Sequence, residues 1–490
     1  MKRLMTRYIT IFFIVIATNI YAQQNLSDTP VGKILQQLLE VFESDDHKSF
    51  IENNFSENFL SQFPMEEHLS FFRQVKMMHG GFTLQKIESG SDYQLTVLVK
   101  SKKREAWRRI DLSVEQNTPH KITGFGIDMA QPPADIPYTG LKYDLVSRLQ
   151  PEANAVKKGE IADKIDKHLT QIEERGYSGA ILAARGGEII LAKGYGYANR
   201  ENKTPFHTSS AFDIGSITKQ FTGAAILKLE MMGKLSMNDL IKNYFENVPD
   251  DKKNITIHHL LTHSAGFPQA LGFDYKKISR EEFIKQAFES KLKYKPGERY
   301  QYSNAGYSLL AAIIEIVTGD SYEKFLHDHL FKPAVMFYTG YRLADWVENQ
   351  VAHGYRGNDY FGQPNQKNWA DDGPWWHLRG NGGIISTIHD MYKWHLALEG
   401  EEILSKEAKK KYYTPHILEG PGADTHYGYG WVVAASSRGT KVYMHNGGNP
   451  YFANDCYRYV EDDVFVYITS NNGEMSAIEQ SGIILKMIFR

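Results

Sequence analysis

The sequence predicts two α+β domains, the larger of which has an antiparallel sheet interrupted by a helical insertion. Apolar residues at helical spacing over residues 30–72 are followed by four strand-like segments up to residue 129. Pro132, Pro133 and Pro137 then mark a linker. Beyond it, strand-like segments over 178–194 and 430–470 flank a long helical region. Strands from the two ends of this second region must therefore pair across the insertion.

The first 22 residues are typical of a secretory signal peptide. Lys2, Arg3 and Arg7 give a positive start, residues 9–17 form an apolar run shorter than a membrane span, and Ala22 ends a predicted cleavage site. No cysteine lies near that site for a lipid anchor, and no later apolar run reaches spanning length. We expect a periplasmic or secreted protein without a stable membrane anchor; an uncleaved signal anchor is the alternative.

The composition is that of a soluble globular protein. The chain has 490 residues, with 42% hydrophobic and 23% charged residues, which is enough for more than one core. Its net charge of −2 gives no electrostatic reason to expect a nucleic acid as partner. The single cysteine, Cys456, excludes an internal disulfide and any multi-cysteine metal site, and we expect it to be a small buried residue.

Residues 23–130 are predicted to form the small α+β domain. Two helical stretches precede a meander of strands at 81–89, 93–100, 107–114 and 121–129. In outline this resembles the cone-shaped nuclear transport factor-like modules. A basic run at one hairpin tip either binds an anionic polymer or is a solvated face. It comprises Lys100, Lys102, Lys103, Arg104, Arg108 and Arg109.

After a linker at 131–157, residues 158–490 form the predicted second domain. It begins with a helix at 161–175 and a hairpin of strands at 178–185 and 188–194, whose turn is Gly186-Gly187. Ser236 and Asp239 form a capping box that predicts another helix. The C-terminal strands are predicted at 430–436, 441–445, 456–460 and 464–470, before a closing helix at 477–490.

Ser216 and Lys219 form an SxxK motif at the start of a helix that is apolar on nearly every side and ends at Gly233. Ser216 is predicted in the first turn, where free backbone N–H groups and the helix dipole favour developing negative charge. Lys219 projects from the same face. An amine buried beside apolar neighbours has a lowered pKa and can take the proton of a serine hydroxyl.

An SxxK motif alone has little specificity, since it also occurs at Ser290 and at Ser321. Ser290 leads into a loop with Pro296 and Gly297, and Ser321 is typical of the N-cap of a polar helix. The alternative interpretation of any such match is an exposed serine and lysine on one helix face. Only Ser216 begins a helix too apolar to lie on the surface.

Two further motifs follow in order: Tyr302-Ser303-Asn304 (YxN) and His445-Asn446-Gly447 (HxG). Each also occurs elsewhere in the chain, as Tyr197-Ala198-Asn199, His79-Gly80-Gly81 and His426-Tyr427-Gly428. A half-buried core tyrosine and a structural histidine are the alternative interpretations. The order of the motifs and the phrases around them favour a functional interpretation of both motifs.

With these motifs and the phrases GYGYANRENKTPF, HHLLTHSAGF, YQYSNAGYSLL, GNGGIIST and YGYGW, residues 161–490 resemble the serine β-lactamase and penicillin-binding-protein family. The resemblance is to its class C-like branch, which includes D-alanyl-D-alanine carboxypeptidases, D-aminopeptidases and esterases. It implies a β-lactamase/transpeptidase-like fold and a reaction that needs no metal or organic cofactor.

The resemblance also implies roles by position. Ser216 is the acylated nucleophile and Lys219 its base. Tyr302 passes a proton to the leaving group and later activates water, provided that a nearby cation lowers its pKa. Asn304 orients the substrate amide and holds Lys219.

On the predicted strand, His445 stands where the lactamases carry a lysine facing the substrate carboxylate, and Asn446 and Gly447 contact substrate. The backbone N–H groups of Ser216 and Gly448 form the oxyanion hole. Histidine weakens the fixed positive charge there, because an unperturbed imidazole is mostly neutral at pH 7.

Bulky residues flank this predicted site. Tyr451 occupies a position where the family usually has glycine, which narrows the cleft. Trp375 and Trp376, with Trp369 and His377, either form an aromatic wall for the substrate or belong to a packed loop.

These residues predict a secreted serine hydrolase that cleaves an amide or ester through an acyl-serine intermediate. Its substrate is a peptide, a peptidoglycan fragment or a small ester, and efficient β-lactamase activity is not expected. The alternative is a catalytically weak or inactive peptide-binding protein that uses the same cleft. Dimerisation or capping of the cleft by the first domain is a further hypothesis; the sequence leaves the oligomeric state open.

Overall fold

The chain divides into two units, Met1–Leu141 and Lys142–Arg490. They are seen in a computed structural model that describes residues 29–61, 65–103, 107–130, 155–344, 346 and 350–489. The predicted signal peptide at 1–22 and most of the predicted linker at 131–157 lie outside these residues. Both therefore stay predictions. No helix among the described residues has the length and apolarity needed to cross a membrane.

In the first unit, helices pack on a four-stranded antiparallel meander in the order β1-β2-β3-β4. The helices are α1 (Pro30–Val41), α2 (His47–Asn54), α3 (Glu57–Leu60) and α4 (Met65–His79), and the strands are β1 (Phe82–Gly90), β2 (Gln94–Ser101), β3 (Trp107–Val114) and β4 (Ile122–Ala130). Leu95, Val97 and Val99 alternate along β2 into the core, as their period predicts. The cone-like resemblance stays a prediction.

Several residues of the basic run form ion pairs or are buried within this unit. Arg109 pairs with Glu88 at 2.6 Å, and Lys102 pairs with Glu43. Arg108 is buried. Arg104 lies outside the described residues. These contacts favour a paired and solvated hairpin tip over a polymer-binding strip.

The second unit is organised on a nine-stranded sheet in the order β14-β15-β16-β17-β18-β19-β6-β7-β5. Its strands are β5 (Val156–Lys157), β6 (Gly179–Arg185), β7 (Glu188–Tyr195), β14 (Ile417–Leu418), β15 (Thr425–Tyr427), β16 (Val432–Ala435), β17 (Lys441–Gly448), β18 (Ala453–Tyr459) and β19 (Val464–Ser470). The N-terminal β6 pairs with the C-terminal β19, with Ala183 opposite Val466. The predicted pairing across the helical insertion is confirmed.

Helices cover this sheet and fill the insertion. They are α5 (Gly159–Glu173), α6 (Thr218–Met231), α7 (Ile257–Leu261), α8 (Arg280–Glu289), α9 (Asn304–Thr318), α10 (Tyr322–Leu326), α11 (Ile388–Ala397), α12 (Lys406–Tyr412) and α13 (Ala477–Phe489). Small strands form three separate antiparallel pairs: β8 (Tyr197–Asn199) with β9 (Thr204–Pro205), β10 (Phe212–Asp213) with the distant β13 (Ile385–Ser386), and β11 (Gly354–Arg356) with β12 (Asp359–Gly362).

Two central helices position the candidate site. Helix α6 is buried on nearly all sides, as its apolar sequence predicts, and it packs against α9. The Ser303 side chain caps α9 by accepting from the Gly306 N–H, and Gly319 ends the helix in the left-handed region with φ of 74°. Lys219 lies in the first turn of α6, and Tyr302 immediately precedes the cap of α9.

The prediction that the Ser236 capping box begins a helix is wrong. The Asp239 carboxylate accepts a hydrogen bond from the Ser236 N–H at 2.8 Å, but no α-helix follows. Asp239 also accepts from the Tyr244 hydroxyl, and a single 3-10 turn, Ile241–Asn243, stands there. The same local pattern therefore closes a turn.

Candidate active site

The candidate nucleophile lies at a short turn in the second unit. Ser216 occupies a 3-10 turn, Gly215–Ile217, that leads directly into α6. It was predicted in the first α-helical turn. The difference arises because Gly215 adopts φ of +54°, a left-handed conformation that L side chains rarely adopt. Ser216 is half-buried, so its hydroxyl stands at the edge of the core.

Lys219 is buried and its amine lies 3.0 Å from Ser216 Oγ. Burial holds the pKa of Lys219 well below its usual 10.5. The Nζ also donates to the carbonyl of Asn381 at 2.8 Å. Because its lowered pKa favours the neutral amine and Nζ is held beside Ser216 Oγ, the predicted base lies where the chemistry needs it.

Tyr302 completes this group, since its phenol lies close enough to Ser216 for the serine hydroxyl to lower the pKa of the phenol. Lys219 Nζ lies 4.8 Å from the centroid of the Tyr302 ring. We expected a cation to lower the pKa of this phenol, but burial raises it above the usual 10. Burial has the largest effect on this pKa and outweighs the lowering by the Ser216 hydroxyl. Tyr302 is therefore a proton donor at neutral pH, not a phenolate.

Asn304 is the first residue of α9, and its backbone N–H donates to the Gln269 carbonyl at 2.7 Å. Its Oδ1 is buried and has no hydrogen-bond partner among the described residues. The predicted contact that holds Lys219 is instead supplied by the Asn381 carbonyl. The predicted role of Asn304 in orienting a substrate amide stays a prediction.

Strand β17 approaches the nucleophile so closely that only glycine fits. A Cβ on Gly447 would lie 2.1 Å from Ile214 O, and a Cβ on Gly215 would lie 2.2 Å from Gly448 N. Asn454 Nδ2 ties the two segments by donating to the carbonyls of Asp213 at 2.8 Å and Gly447 at 3.2 Å. The Gly448 backbone nitrogen therefore lies beside the turn that carries Ser216, as the predicted oxyanion hole requires.

The buried side chain of Asp213 stabilises the same turn. Its carboxylate accepts from the Gly215 N–H at 2.8 Å and from Asn449 Nδ2 at 3.0 Å. Burial raises its pKa to about 7. The carboxyl therefore helps to set the left-handed turn before Ser216 and acts through that turn.

His445 lies buried on β17 as a neutral imidazole. Burial and the Lys219 amine lower its pKa to about 4. Its Nδ1 lies 2.5 Å from the Asn446 carbonyl, which can only accept, so Nδ1 carries the proton. The Nε2 then accepts from the Tyr427 hydroxyl at 2.9 Å. No fixed positive charge stands at this position, and the Asn446 side chain is exposed.

This histidine should make the fold sensitive to acid. The pKa of His445 is about 4 in the folded protein and 6.5 in the unfolded chain. Between these two pH values the unfolded state binds more protons, so the folded state becomes less stable as the pH falls. When the pH is lowered from about 6.5 to about 5, the unfolding free energy of wild type should fall by about 2 kcal/mol more than that of His445→Gln. Denaturant unfolding at both pH values measures this. The exposed His207→Gln is the control, and equal losses in wild type and His445→Gln would contradict the prediction.

His263 was not predicted and holds the segment that carries Tyr302. Its carbonyl accepts from the Gln301 N–H at 2.7 Å and its Nδ1 accepts from the Ser303 N–H at 3.0 Å. Its ring centroid lies 4.3 Å from that of Tyr302 and 4.6 Å from that of Tyr427. His263 adopts φ of 58°, a strained conformation for a residue with a side chain. It acts as a positioning residue.

The tryptophan loop is packed over part of its length. Trp376 is buried beneath Arg379, whose Cζ lies 4.9 Å from the indole centroid, which favours the packed-loop alternative; its predicted substrate contact stays a prediction. Trp369 is buried against Tyr341. Trp375 is half-buried, with Lys277 Nζ 5.4 Å from its ring, and its predicted role stays a prediction.

The site residues that were not predicted belong to sequence phrases that support the family resemblance. His263 belongs to HHLLTHSAGF, Tyr427 to YGYGW and Asn381 to GNGGIIST. These phrases were available as a signal, although nothing in them specified a contact. Among the described residues, no group of three or more His, Cys, Asp or Glu side chains is arranged to hold a metal ion.

The sheet with its helical insertion is a β-lactamase/transpeptidase-like fold. A serine, a lysine whose pKa is lowered by burial and a tyrosine whose pKa is raised by burial converge at its centre, as serine acyl transfer requires. The chain belongs to the beta-lactamase family, because the family model described as Beta-lactamase matches residues 162–484, more than half of its length.

Its relatives include penicillin-binding proteins. Penicillin-binding protein 4* of Bacillus subtilis (strain 168) is 30% identical over 340 residues, which cover 64% of this chain and 74% of that protein. The putative penicillin-binding protein PbpX of the same strain is 32% identical over 290 residues, which cover 59% and 69%.

Solved structures agree on the fold. The octameric penicillin-binding protein homologue from Pyrococcus abyssi has 29% identity and a TM-score of 0.54, covering 63% of this chain and 73% of that one. The D-amino acid amidase from Ochrobactrum anthropi SV3, complexed with L-phenylalanine amide, has 23% identity and a TM-score of 0.56, covering 67% and 99%. At that identity the second likeness concerns the fold alone.

Proposed function

We propose that this protein is a secreted serine hydrolase that cleaves an amide or ester bond through an acyl-serine intermediate. The observation that carries the proposal is the convergence of two motifs that lie far apart in sequence. Lys219 Nζ lies 3.0 Å from Ser216 Oγ and 4.8 Å from the centroid of the Tyr302 ring. The secretory character of residues 1–22 supports export to the periplasm or beyond.

The geometry supports the following reaction. Lys219 Nζ takes the Ser216 proton as Oγ attacks the substrate carbonyl, and the oxyanion is stabilised by the N–H groups of Ser216 and Gly448. As the tetrahedral intermediate collapses, Tyr302 protonates the leaving amine or alcohol and regains a proton from the Lys219 ammonium. Water then attacks the acyl-serine, with the same groups acting in reverse.

The neutral His445 narrows the substrate class. A substrate carboxylate would meet an imidazole whose pKa is lowered to about 4, and therefore no fixed cation near pH 7. Substrates without a carboxylate next to the reacting carbonyl, such as small esters and peptide amides, are favoured over β-lactams.

A fluorophosphonate probe tests the proposal and its rival. Folded wild type should be labelled covalently at Ser216, as located by mass spectrometry of the digest, and Ser216→Ala should not be labelled. Ser290→Ala changes an SxxK serine outside this site and should label like wild type. If folded wild type resists the probe, the rival remains: a peptide-binding protein that uses the same cleft without turnover.

A further inference from the structure

The first unit contains a cavity of about 570 Å³, a volume typical of small-molecule sites, which the serine chemistry of the second unit does not use. Of the described residues that line it, only Leu69 is apolar. The others have ionisable side chains: the cations Lys48, Arg73, Lys76 and Lys103, together with Asp45 and His47. A lining of this kind suits a charged ligand better than an apolar one.

Three elements of the fold bring these side chains together. Arg73 and Lys76 are three residues apart on α4, so they share one face of that helix. Helix α2, which begins at His47, packs against α4. Lys103 follows β2, and its backbone N–H donates to the carbonyl of His79, the last residue of α4, at 2.9 Å. The cations therefore meet because of the fold and not because of a basic run in the sequence.

The charges of the lining do not balance. Three of its cations have acidic partners at the surface: Lys48 with Glu52 at 3.7 Å, Arg73 with Glu66, and Lys76 with Asp45 at 2.5 Å. Each of these acids is more than half exposed, and such pairs contribute little to stability, so a ligand can replace them. Asp45 is the one acid in the described lining, against four cations. The cavity therefore carries an excess of positive charge.

His47 is an independent sign of a ligand. Its side chain is 4% exposed, and its Nε2 is buried with no hydrogen-bond partner among the described residues. A buried nitrogen without a partner costs free energy, so each such case in a native structure needs an explanation. The imidazole packs against Phe72, with 5.6 Å between the ring centroids, at the wall of the cavity. Its Nε2 can accept from a ligand hydroxyl when neutral or donate to an oxyanion when protonated.

We propose that this cavity binds a compact small molecule with at least two anionic groups, phosphate or carboxylate. Arginine and lysine form charge-assisted hydrogen bonds with both kinds of group. Because the cations come from α2, α4 and the turn after β2, they can contact separate groups of one ligand. This binding site belongs to the first unit and does not depend on acyl transfer at Ser216.

Calorimetry of the full-length protein with inorganic pyrophosphate and with citrate, in about 0.15 M salt, tests the proposal. Wild type should bind at least one of them; pyrophosphate alone indicates a phosphate ligand, citrate alone a carboxylate ligand, and both a site that selects for charge. Arg73→Gln/Lys76→Gln should weaken the binding by about tenfold or more. Lys33→Gln/Lys86→Gln, which removes two exposed lysines of the same unit outside the described lining, should stay within about twofold of wild type.

Two further measurements separate lost binding from a damaged fold. Lys48→Gln/Lys103→Gln changes exposed side chains on the other two elements and should also weaken binding by about tenfold. The imidazole NMR signal of His47, assigned with His47→Gln, should shift on saturation, while that of the exposed His207 should not. Absence of binding by either anion, binding that survives in a folded lining variant, equal losses in the lining and control variants, or an unmoved His47 signal each overturns the proposal.

Discussion

Lys219→Met is expected to lower kcat by about 10²- to 10⁴-fold, the range for losing a positioned general base. Methionine keeps the length and the apolar packing but removes the amine that lies 3.0 Å from Ser216 Oγ. Since a buried amine costs free energy to desolvate, the thermal midpoint should stay unchanged or rise. Steady-state hydrolysis of an activated ester and thermal unfolding measure the two quantities.

Lys228→Met is the matched control. Lys228 lies on the same helix, nine residues later, and its Nζ donates to the Ile403 carbonyl at 2.9 Å. Burial lowers its pKa as well, but it contacts no residue of the candidate site. We expect its kcat within about twofold of wild type. A Lys219→Met enzyme that keeps more than about a tenth of wild-type kcat would show that another group takes the serine proton.

The electrostatics of the site have a single physical origin. Burial drives both Lys219 and His445 towards their neutral forms and keeps the Tyr302 phenol protonated. Ser216 thus lies beside a base, Lys219, and a proton donor, Tyr302, and the neutral His445 adds no fixed cation.

Much of the second unit could be predicted because its segments carry strong local patterns. Helix α6 is apolar on all faces, and the hairpin around Gly186-Gly187 has strand periodicity on both sides. The convergence of Ser216, Lys219 and Tyr302 came from the order of the motifs and the family resemblance. Neither source specifies a distance, so contacts such as that between Lys219 and the Asn381 carbonyl needed the structure.

The predictions that failed did so where distant parts of the chain decide the local outcome. Asp239 forms the expected bond with Ser236, but a hydrogen bond from Tyr244 and the lack of a helical period turn the pattern into a loop. The contact between Arg379 and the Trp376 ring, which decides how far Trp376 is buried, likewise has no local sequence signal.

Gly447→Ala should lower kcat by about 10²- to 10³-fold, an effect comparable with removing an oxyanion-hole donor. Its added Cβ would lie 2.1 Å from Ile214 O and 2.8 Å from Ser216 N. Both contacts are with backbone, so strand β17 must move away from the nucleophile, taking the Gly448 N–H with it. KM should change less than kcat, because the displaced donor acts chiefly on the developing oxyanion.

Gly233→Ala separates this clash from general glycine effects. Gly233 has φ of +68°, but a Cβ there would meet nothing within 4 Å, so alanine should cost about 1 kcal/mol of stability and leave kcat unchanged. The fluorophosphonate labelling rate of Gly447→Ala should fall with its kcat, since the phosphonyl oxygen uses the same donors. If Gly447→Ala keeps both rates within about threefold of wild type, the Gly448 N–H does not stabilise the oxyanion, and the closeness of β17 to Ser216 serves packing alone.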